Sequence, residues 1–363
     1  MNQLTEALHN ISGAQHQYEI FSGANTHTPY LADTRQKYQR KLFDTLDEVL
    51  SRCDLRDGMT VSFHHAFREG DQVINYVMAR LAEKGLRGLT LASSSLMTCN
   101  APLIEHIKHG VISKIYTSGM RGELADAISH GLMEEPVQIH SHGGRVNLIE
   151  KGEINIDVAF LAVSCCDEYG NASGSGGKSR CGSLGYAMVD AKYARKVVLL
   201  TESIEPFPYM PASIIQDQVD YIVKIDSVGD PAKISVGAAR VTSNPRELMI
   251  ARSAADVIEH SGYFRDGFSL QTGSGAASTA CTRFLESRMR KHNIVASFAL
   301  GGITGSIVDL HEKGLITKLL DTQSFDGAAG ESLAKNPHHV EISTSVYANP
   351  AAKAACCDRV DIV

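Results

Sequence analysis

One strand–turn–helix pattern occurs twice in this chain, and that duplication limits its fold more than any other feature. Asp57-Gly58-Met59-Thr60-Val61-Ser62 is answered by Asp266-Gly267-Phe268-Ser269-Leu270-Gln271. Further on, His109-Gly110-Val111-Ile112-Ser113-Lys114-Ile115 is answered by Lys313-Gly314-Leu315-Ile316-Thr317-Lys318-Leu319. Two copies are too few for a solenoid, so they predict a duplicated domain. A cleft between two similar domains is where small ligands usually bind.

Strand candidates recur along the chain: Met59–Phe63, Leu89–Ala92, Lys114–Tyr116, Asp157–Val163, Lys196–Leu200 and Tyr221–Ile225. Helical spacing separates several of them, as in Gln72–Lys84, where Val73, Val77 and Leu81 share a face. A second set falls at Gly267–Thr272, Ala296–Leu300, Lys318–Asp321 and Val340–Ser343, behind a helix capped by Asn244-Pro245. Alternating β and α predicts mostly parallel, doubly wound sheets. The expected division is a leading helical arm over 1–45, a first α/β domain over 46–242 and a second over 243–363. Arg359–Val363 reads as the start of a buried strand, so the second domain is expected to be incomplete.

With 363 residues the chain is long enough for two cores, and its formal charge of −6 argues against nucleic acid or an anionic membrane as partner. The first twenty residues lack a basic stretch and an apolar run, so no secretory signal is read there and a cytoplasmic location is expected. Eight cysteines, including the pairs Cys165-Cys166 and Cys356-Cys357, match neither a zinc pattern nor Cys-x-x-Cys. They read as reduced thiols.

In open α/β sheets, ligands sit in loops at the carboxyl ends of strands. After the first strand comes Phe63-His64-His65-Ala66-Phe67-Arg68; the second copy has Thr272-Gly273-Ser274-Gly275-Ala276-Ala277. Gly273 and Gly275 allow close backbone approach, and the helix start behind them offers N–H groups to an anion or oxyanion. His64 or His65 is placed to donate a hydrogen bond to a carbonyl. Ser94 in Ala92–Ser95 pairs with Gly301, Gly302 and Thr304 in Leu300–Gly305; Gly143, Gly144 and Arg145 close another glycine cluster. Arg68, Arg121, Arg145, Lys178 and Arg180 lie close to such clusters, and arginine's fork suits carboxylates and phosphates. The ligand class is a polyanionic small molecule or a phosphate-bearing carrier. His64-His65 and His140-x-His142 lack a thiol or acidic ligand at compact spacing, so no metal is expected.

The stretches DGMTVSFHHAFREGD, IYTSGMRGELADAISHG, PVQIHSHGGRVNLI and FALGGITGSIVDLHEKGLITKLLDTQSFD resemble the citrate lyase alpha-subunit family, from about residue 35 to the end. The resemblance implies two CoA-transferase-type (NagB/RpiA-like) α/β domains. It implies exchange of acetyl for citryl on the thioester of a carrier subunit's phosphoribosyl-dephospho-CoA arm, with acetyl-CoA as an alternative donor and acetate released. The partners implied are citrate and the beta (citryl lyase) and gamma (acyl carrier) subunits, in an oligomer, with no permanently bound cofactor. His64, His65, Gly273 and Gly275 would contact the carbonyl or oxyanion. Arg68, Arg121, Gly143, Gly144, Arg145, Ser94, Gly301, Gly302 and Thr304 would hold substrate. Members of that family continue past Val363 into a Ser-Ala-Leu-Glu-Ile-Asp segment and a Gly-rich loop, so weak or no activity is expected of the chain alone. Two other readings stay open: transfer of CoA to a smaller acid, and a scaffold that only docks the other subunits.

Overall fold

In the computed structural model, which describes residues 40–236 and 242–363, the first copy builds one large parallel sheet. Its strands are β1 (Leu42–Phe43), β2 (Thr60–Phe63), β3 (Leu89–Ser93), β4 (Ile112–Thr117), β5 (Gln138–Ile139), β6 (Val158–Ala162), β9 (Lys196–Thr201) and β10 (Tyr221–Lys224). A two-stranded antiparallel ribbon, β7 (Cys165–Cys166) and β8 (Ala172–Ser173), projects beyond β6. The helices between are α1 (Leu46–Arg52), α2 (Val73–Glu83), α3 (Leu103–Lys108), α4 (Gly122–Ser129), α5 (His142–Glu150), α6 (Gly185–Tyr193) and α7 (Pro231–Val236). Spatial order is β1-β10-β9-β6-β2-β3-β4-β5. All five residues of β6 are buried, the pattern of a parallel strand covered on both faces.

The second copy repeats this succession. Helix α8 (Pro245–His260) precedes β11 (Ser269–Leu270), followed by α9 (Ala276–His292), β12 (Ala296–Ile303), α10 (Gly305–Glu312), β13 (Ile316–Ser324), α11 (Gly327–Lys335), β14 (His339–Glu341) and α12 (Thr344–Ala348). These strands pair in parallel as β11-β12-β13-β14, and Leu270 bridges Ile362 in parallel on the other side of β11. The order Ile362-β11-β12-β13-β14 therefore matches β6-β2-β3-β4-β5 strand for strand. Small polar contacts repeat too. The Asp57 carboxylate accepts from Arg87 N at 2.8 Å, and that of Asp266 accepts from Val295 N at 2.9 Å.

Local chemistry explains the boundaries. Val73, Ile74, Val77, Met78 and Leu81 line the buried face of α2. Asn244 caps α8, its side chain accepting from Arg246 N at 2.9 Å, with Pro245 in the first turn. Two separate apolar cores result, one drawn from residues 46–234 and one from 251–329. The two parts meet where α5 packs on its counterpart α12. Glu150 accepts from Ser345 Oγ at 2.7 Å and from Asn349 Nδ2 at 2.6 Å.

Some expectations need correction. Most of the leading arm, residues 1–39, lies outside the described residues. Leu42–Phe43 is extended and pairs with β10, and the helix starts only at Leu46, behind the Thr45 cap. The strand expected over Gly267–Thr272 shrinks to Ser269–Leu270, while that at Lys318–Asp321 grows to Ile316–Ser324. Among the described residues no helix is long and apolar enough to cross a membrane.

Candidate active site

Open α/β sheets bind ligands at the switch point, where strand order reverses and two neighbouring connections leave in opposite directions. In the large sheet that point lies between β2 and β6, and a side chain fills it. His64 follows β2, and its Nε2–H donates to the Ala162 carbonyl at the end of β6, at 2.7 Å. Its Nδ1 accepts from Ala66 N at 3.3 Å, so the ring is the neutral Nε2–H tautomer. Burial pushes its pKa down to about 4. The expected carbonyl donor is spent on the protein's own backbone.

In the second copy the same point lies between β11 and Ile362, and the residue aligned with His64 is Gly273. No ring stands there, and a cavity of about 240 Å³ lies at this point, its lining including Leu270, Gln271, Thr272, Gly273, Ser278, Cys281, Ile362 and Val363. Helix α9 starts at its edge with Gly275 as N-cap and no side chain capping the first turn. The first turn of a helix has N–H groups without intrahelical partners, and a helix of 17 residues adds its dipole. The Thr272 Oγ1 beside it is buried and without a partner. Gly273 and Gly275 thus lie where a ligand oxygen could meet main-chain donors. Only Ser278 crowds them, at 3.2 and 3.5 Å from a Cβ built on Gly273 and Gly275.

Contrary to the expectation of one cleft shared by the two copies, the two turns do not converge on this cavity. Every residue lining it comes from 250–363. The turn after β2 packs instead against the small sheet: His65 Nε2–H donates to Gln323 Oε1 at 3.1 Å, and its Nδ1 accepts from Ser94 Oγ at 2.6 Å. His65 and Ser94 are brought together as a buried brace. The His65 ring also stacks on His142, 5.6 Å between centroids. Burial first, then the nearby imidazole of His142, holds His65 well below its ordinary pKa.

Two arginines expected at the ligand are occupied elsewhere. Arg68, buried and at φ 55°, donates to the carbonyls of Ile234 and Cys181 at 2.8 and 2.9 Å. Arg145 makes a two-pronged pair with Asp190, both contacts 2.8 Å, and also donates to the Ala92 carbonyl. Side-chain exposure is 2% for Arg145 and zero for Asp190. Arg121 is exposed at the start of α4, beyond the carboxyl end of β4, and stays available.

The remaining glycines divide by role. A Cβ on Gly143 would fall 1.7 Å from the Ala348 carbonyl oxygen, so this glycine lets α5 and α12 touch. Gly144 N–H donates to the Ser141 cap at 3.0 Å, and Gly302 lies beneath the Phe325 ring. Thr304 caps α10, accepting from Ile307 N at 3.4 Å. Gly301, at φ 94°, approaches Gln271 and Tyr347, so of this loop it lies nearest the cavity. Gln271 donates to Tyr347 Oη at 2.7 Å. Sequence reading missed Gln271, Ser278 and Cys281; the spacing of Ser278, Cys281 and Leu285 along one helix face was the available signal. A hollow of about 640 Å³ does lie between the two parts, lined by Lys178 and Arg180 on one side and Asp326 and Glu331 on the other. Among the described residues, no three His, Cys, Asp or Glu side chains cluster to hold a metal.

Residues 39–363 match the family model of the citrate lyase alpha subunit. The chain is 65% identical over 343 residues to the citrate lyase alpha chain of Klebsiella pneumoniae, covering 94% of this chain and 68% of that one. Against the Escherichia coli K12 chain it is 63% identical over 335 residues, covering 91% and 66%. Its fold is similar to a crystal structure described as the putative alpha subunit of citrate lyase from Streptococcus mutans in complex with citrate. There the TM-score is 0.87 and identity 49%, over 90% of this chain and 64% of that one. The alpha subunit of malonate decarboxylase from Acinetobacter baumannii, TM-score 0.59 at 18% identity, shares the fold. The chain spans about two thirds of the length of the citrate lyase relatives it matches.

Proposed function

The chain belongs to the citrate lyase alpha-subunit family, and from that premise we propose that it serves acyl exchange: citrate displaces acetyl from a CoA-type thioester. The observation that carries this is the open crevice at Gly273, beside the uncapped start of α9. A citrate carboxylate oxygen attacks the acetyl thioester carbonyl, whose oxygen becomes an oxyanion. Main-chain N–H groups around Gly273–Gly275 stabilise that charge, the kind of contact worth about 3–4 kcal/mol to a transition state. The C–S bond then breaks, leaving a mixed anhydride and a thiolate. The thiolate attacks the citryl carbonyl of the anhydride, and acetate departs. No proton transfer is required, which agrees with two neutral, buried histidines at the other turn.

On this reading the two copies form a CoA-transferase-type fold whose thioester is carried by acetyl-CoA or by the carrier subunit's arm. The beta and carrier subunits are the partners. Of the cations singled out in the sequence, Arg121, Lys178 and Arg180 are exposed, Lys178 lying 3.7 Å from the Glu202 carboxylate, and these are the ones we assign to citrate's carboxylates. The test is citrate-dependent acetate release from acetyl-CoA by the purified chain, alone and with the beta and carrier subunits. Release that depends on citrate in either setting supports the proposal. If acetate appears in neither, while the subunits still co-purify, the docking-scaffold reading replaces it.

A further inference from the structure

We infer that Glu202 is a positioning residue for the acceptor acid: its buried carboxylate sets the loop that carries Lys178 and Arg180 into the hollow between the two copies. The inference rests on the acyl-exchange reading above for its ligand, a polycarboxylate, and adds a residue that holds the acid's cations in place without touching the acid.

Glu202 follows β9 directly, at the carboxyl end of the large sheet, yet its side chain is only 2% exposed. A carboxylate so buried needs donors on both oxygens, and three converge on it. Ser179 N–H donates to Oε1 at 3.1 Å, Val228 N–H donates to Oε2 at 3.4 Å, and Lys178 Nζ lies 3.7 Å from Oε2. Ser179 is buried between exposed Lys178 and Arg180, so the bond that pins it also fixes where both cations leave the main chain. Gly177 seats the same loop from below: it has φ 66°, and a Cβ there would fall 2.4 Å from the Ser164 carbonyl oxygen. Val228 leads into α7, which also lines the hollow, so one carboxylate ties two of its walls together. A third wall is the start of α11, and its acids are engaged elsewhere. Asp326 accepts from Gly305 N and Ala329 N at 2.7 and 2.9 Å, and Glu331 pairs with Lys335. Lys178 and Arg180 therefore set the charge that an entering acid meets. At about 640 Å³ the hollow falls within the roughly 300–1,000 Å³ of small-ligand sites. Glu202 also offsets part of the Lys178 charge, so losing its charge and losing its hold act in opposite directions on a bound acid.

That opposition supplies the test, made on the full chain with citrate as the probe. In Glu202→Gln the side chain keeps one acceptor but turns its NH2 towards a second donor, so the loop should come loose. Amide exchange over 174–180, followed by mass spectrometry, should quicken. The dissociation constant of citrate, read by titration calorimetry, should rise about tenfold, because two long cationic side chains must then be ordered on binding. Glu202→Asp keeps the charge but shortens the reach, and should show the same faster exchange and weaker binding; if Glu202→Gln does not fold, this variant decides. Lys178→Gln combined with Arg180→Gln should weaken citrate binding at least as much. Four results would each overturn the inference: a parent chain that does not bind citrate, tighter binding in Glu202→Gln, parent-like exchange and binding in Glu202→Asp, or parent-like binding in the double variant. If citrate binding follows the inference but no subunit mixture releases acetate from acetyl-CoA with citrate, the inference stands and the acyl-exchange reading falls. If release depends on citrate while both Glu202 variants bind it as the parent does, the reading stands and the inference falls.

Discussion

Asp157 and Asp361 make the same contact in the two halves of the chain. The carboxylate of Asp157 accepts from Thr60 N at 2.9 Å, that of Asp361 from Ser269 N at 2.9 Å, and Asp361 also accepts from Ser269 Oγ. Each aspartate fixes the register of the strand beside the first strand of its copy, β6 in one and the Ile362 segment in the other. The main-chain hydrogen bond from Ser269 holds the Asp361 carboxyl below the usual carboxylate range. Its stabilising contribution is therefore complete above the unfolded pKa and lost as pH falls through the folded value. Asp361→Ala should speed amide exchange at Gln271, which donates to the Ile362 carbonyl, and at Ile362, which donates to the Ser269 carbonyl, and leave Val61 protected. Equal protection of Gln271 and Ile362 in mutant and parent would contradict this.

Gly143 meets the carbonyl of Ala348 with no room for a side chain, since a Cβ would fall 1.7 Å from that oxygen. Backbone cannot give way as a flexible side chain does, so Gly143→Ala must shift α5 or α12. Overpacking of this kind costs about 1–3 kcal/mol. A lower urea midpoint is the expected result. An unchanged midpoint would mean that the two helices do not pack this closely.

Arg145 and Asp190 form a buried ion pair, so removing one partner strands the other's charge. Arg145→Met should destabilise the fold by about 3–5 kcal/mol, and adding Asp190→Leu should recover much of the loss. Were Arg145 a substrate contact, the single variant would instead raise KM for citrate at unchanged stability. Equilibrium unfolding of the single and double variants separates the two cases.

These arginines also show where sequence reading stops. The repeat of Asp57-Gly58 in Asp266-Gly267 announces the parallel sheets, and Asn244-Pro245 announces α8, because strand pattern and helix caps are local chemistry. An arginine in a loop near a glycine is different. Arg68 and Arg145 look alike in sequence to a free ligand-binding arginine, and only distant partners decide their role: Ile234 and Cys181 for one, Asp190 for the other. Gly143 and Gly273 are equally ambiguous, one serving helix contact and the other an open crevice. The clearest legible signal of the site was the alignment itself, in which Gly273 stands where the first copy has His64. Sequence could not show that the His64 ring closes its own crevice, because that depends on the carbonyl of Ala162.

His64 makes the fold sensitive to acid. In the folded chain burial lowers its pKa from an ordinary 6.5 to about 4. In the unfolded chain the ring takes up a proton near 6.5, so between these values the unfolded state binds more protons than the folded one. Stability must then rise with pH across that window, and this contribution is lost progressively as pH falls from 6.5 towards 4. One such group contributes a slope of about 1.4 kcal/mol per pH unit within the window. His142, lowered to about 4 by burial and then by Arg145, adds to it. Urea unfolding at pH 7, 6 and 5 should show the loss in the parent. His64→Gln, which keeps a donor for Ala162 but cannot titrate, should show a slope smaller by about 1.4 kcal/mol per pH unit. If the two slopes coincide, the His64 ring is protonated alike in both states, and its neutral bond to Ala162 is not what fills the first crevice.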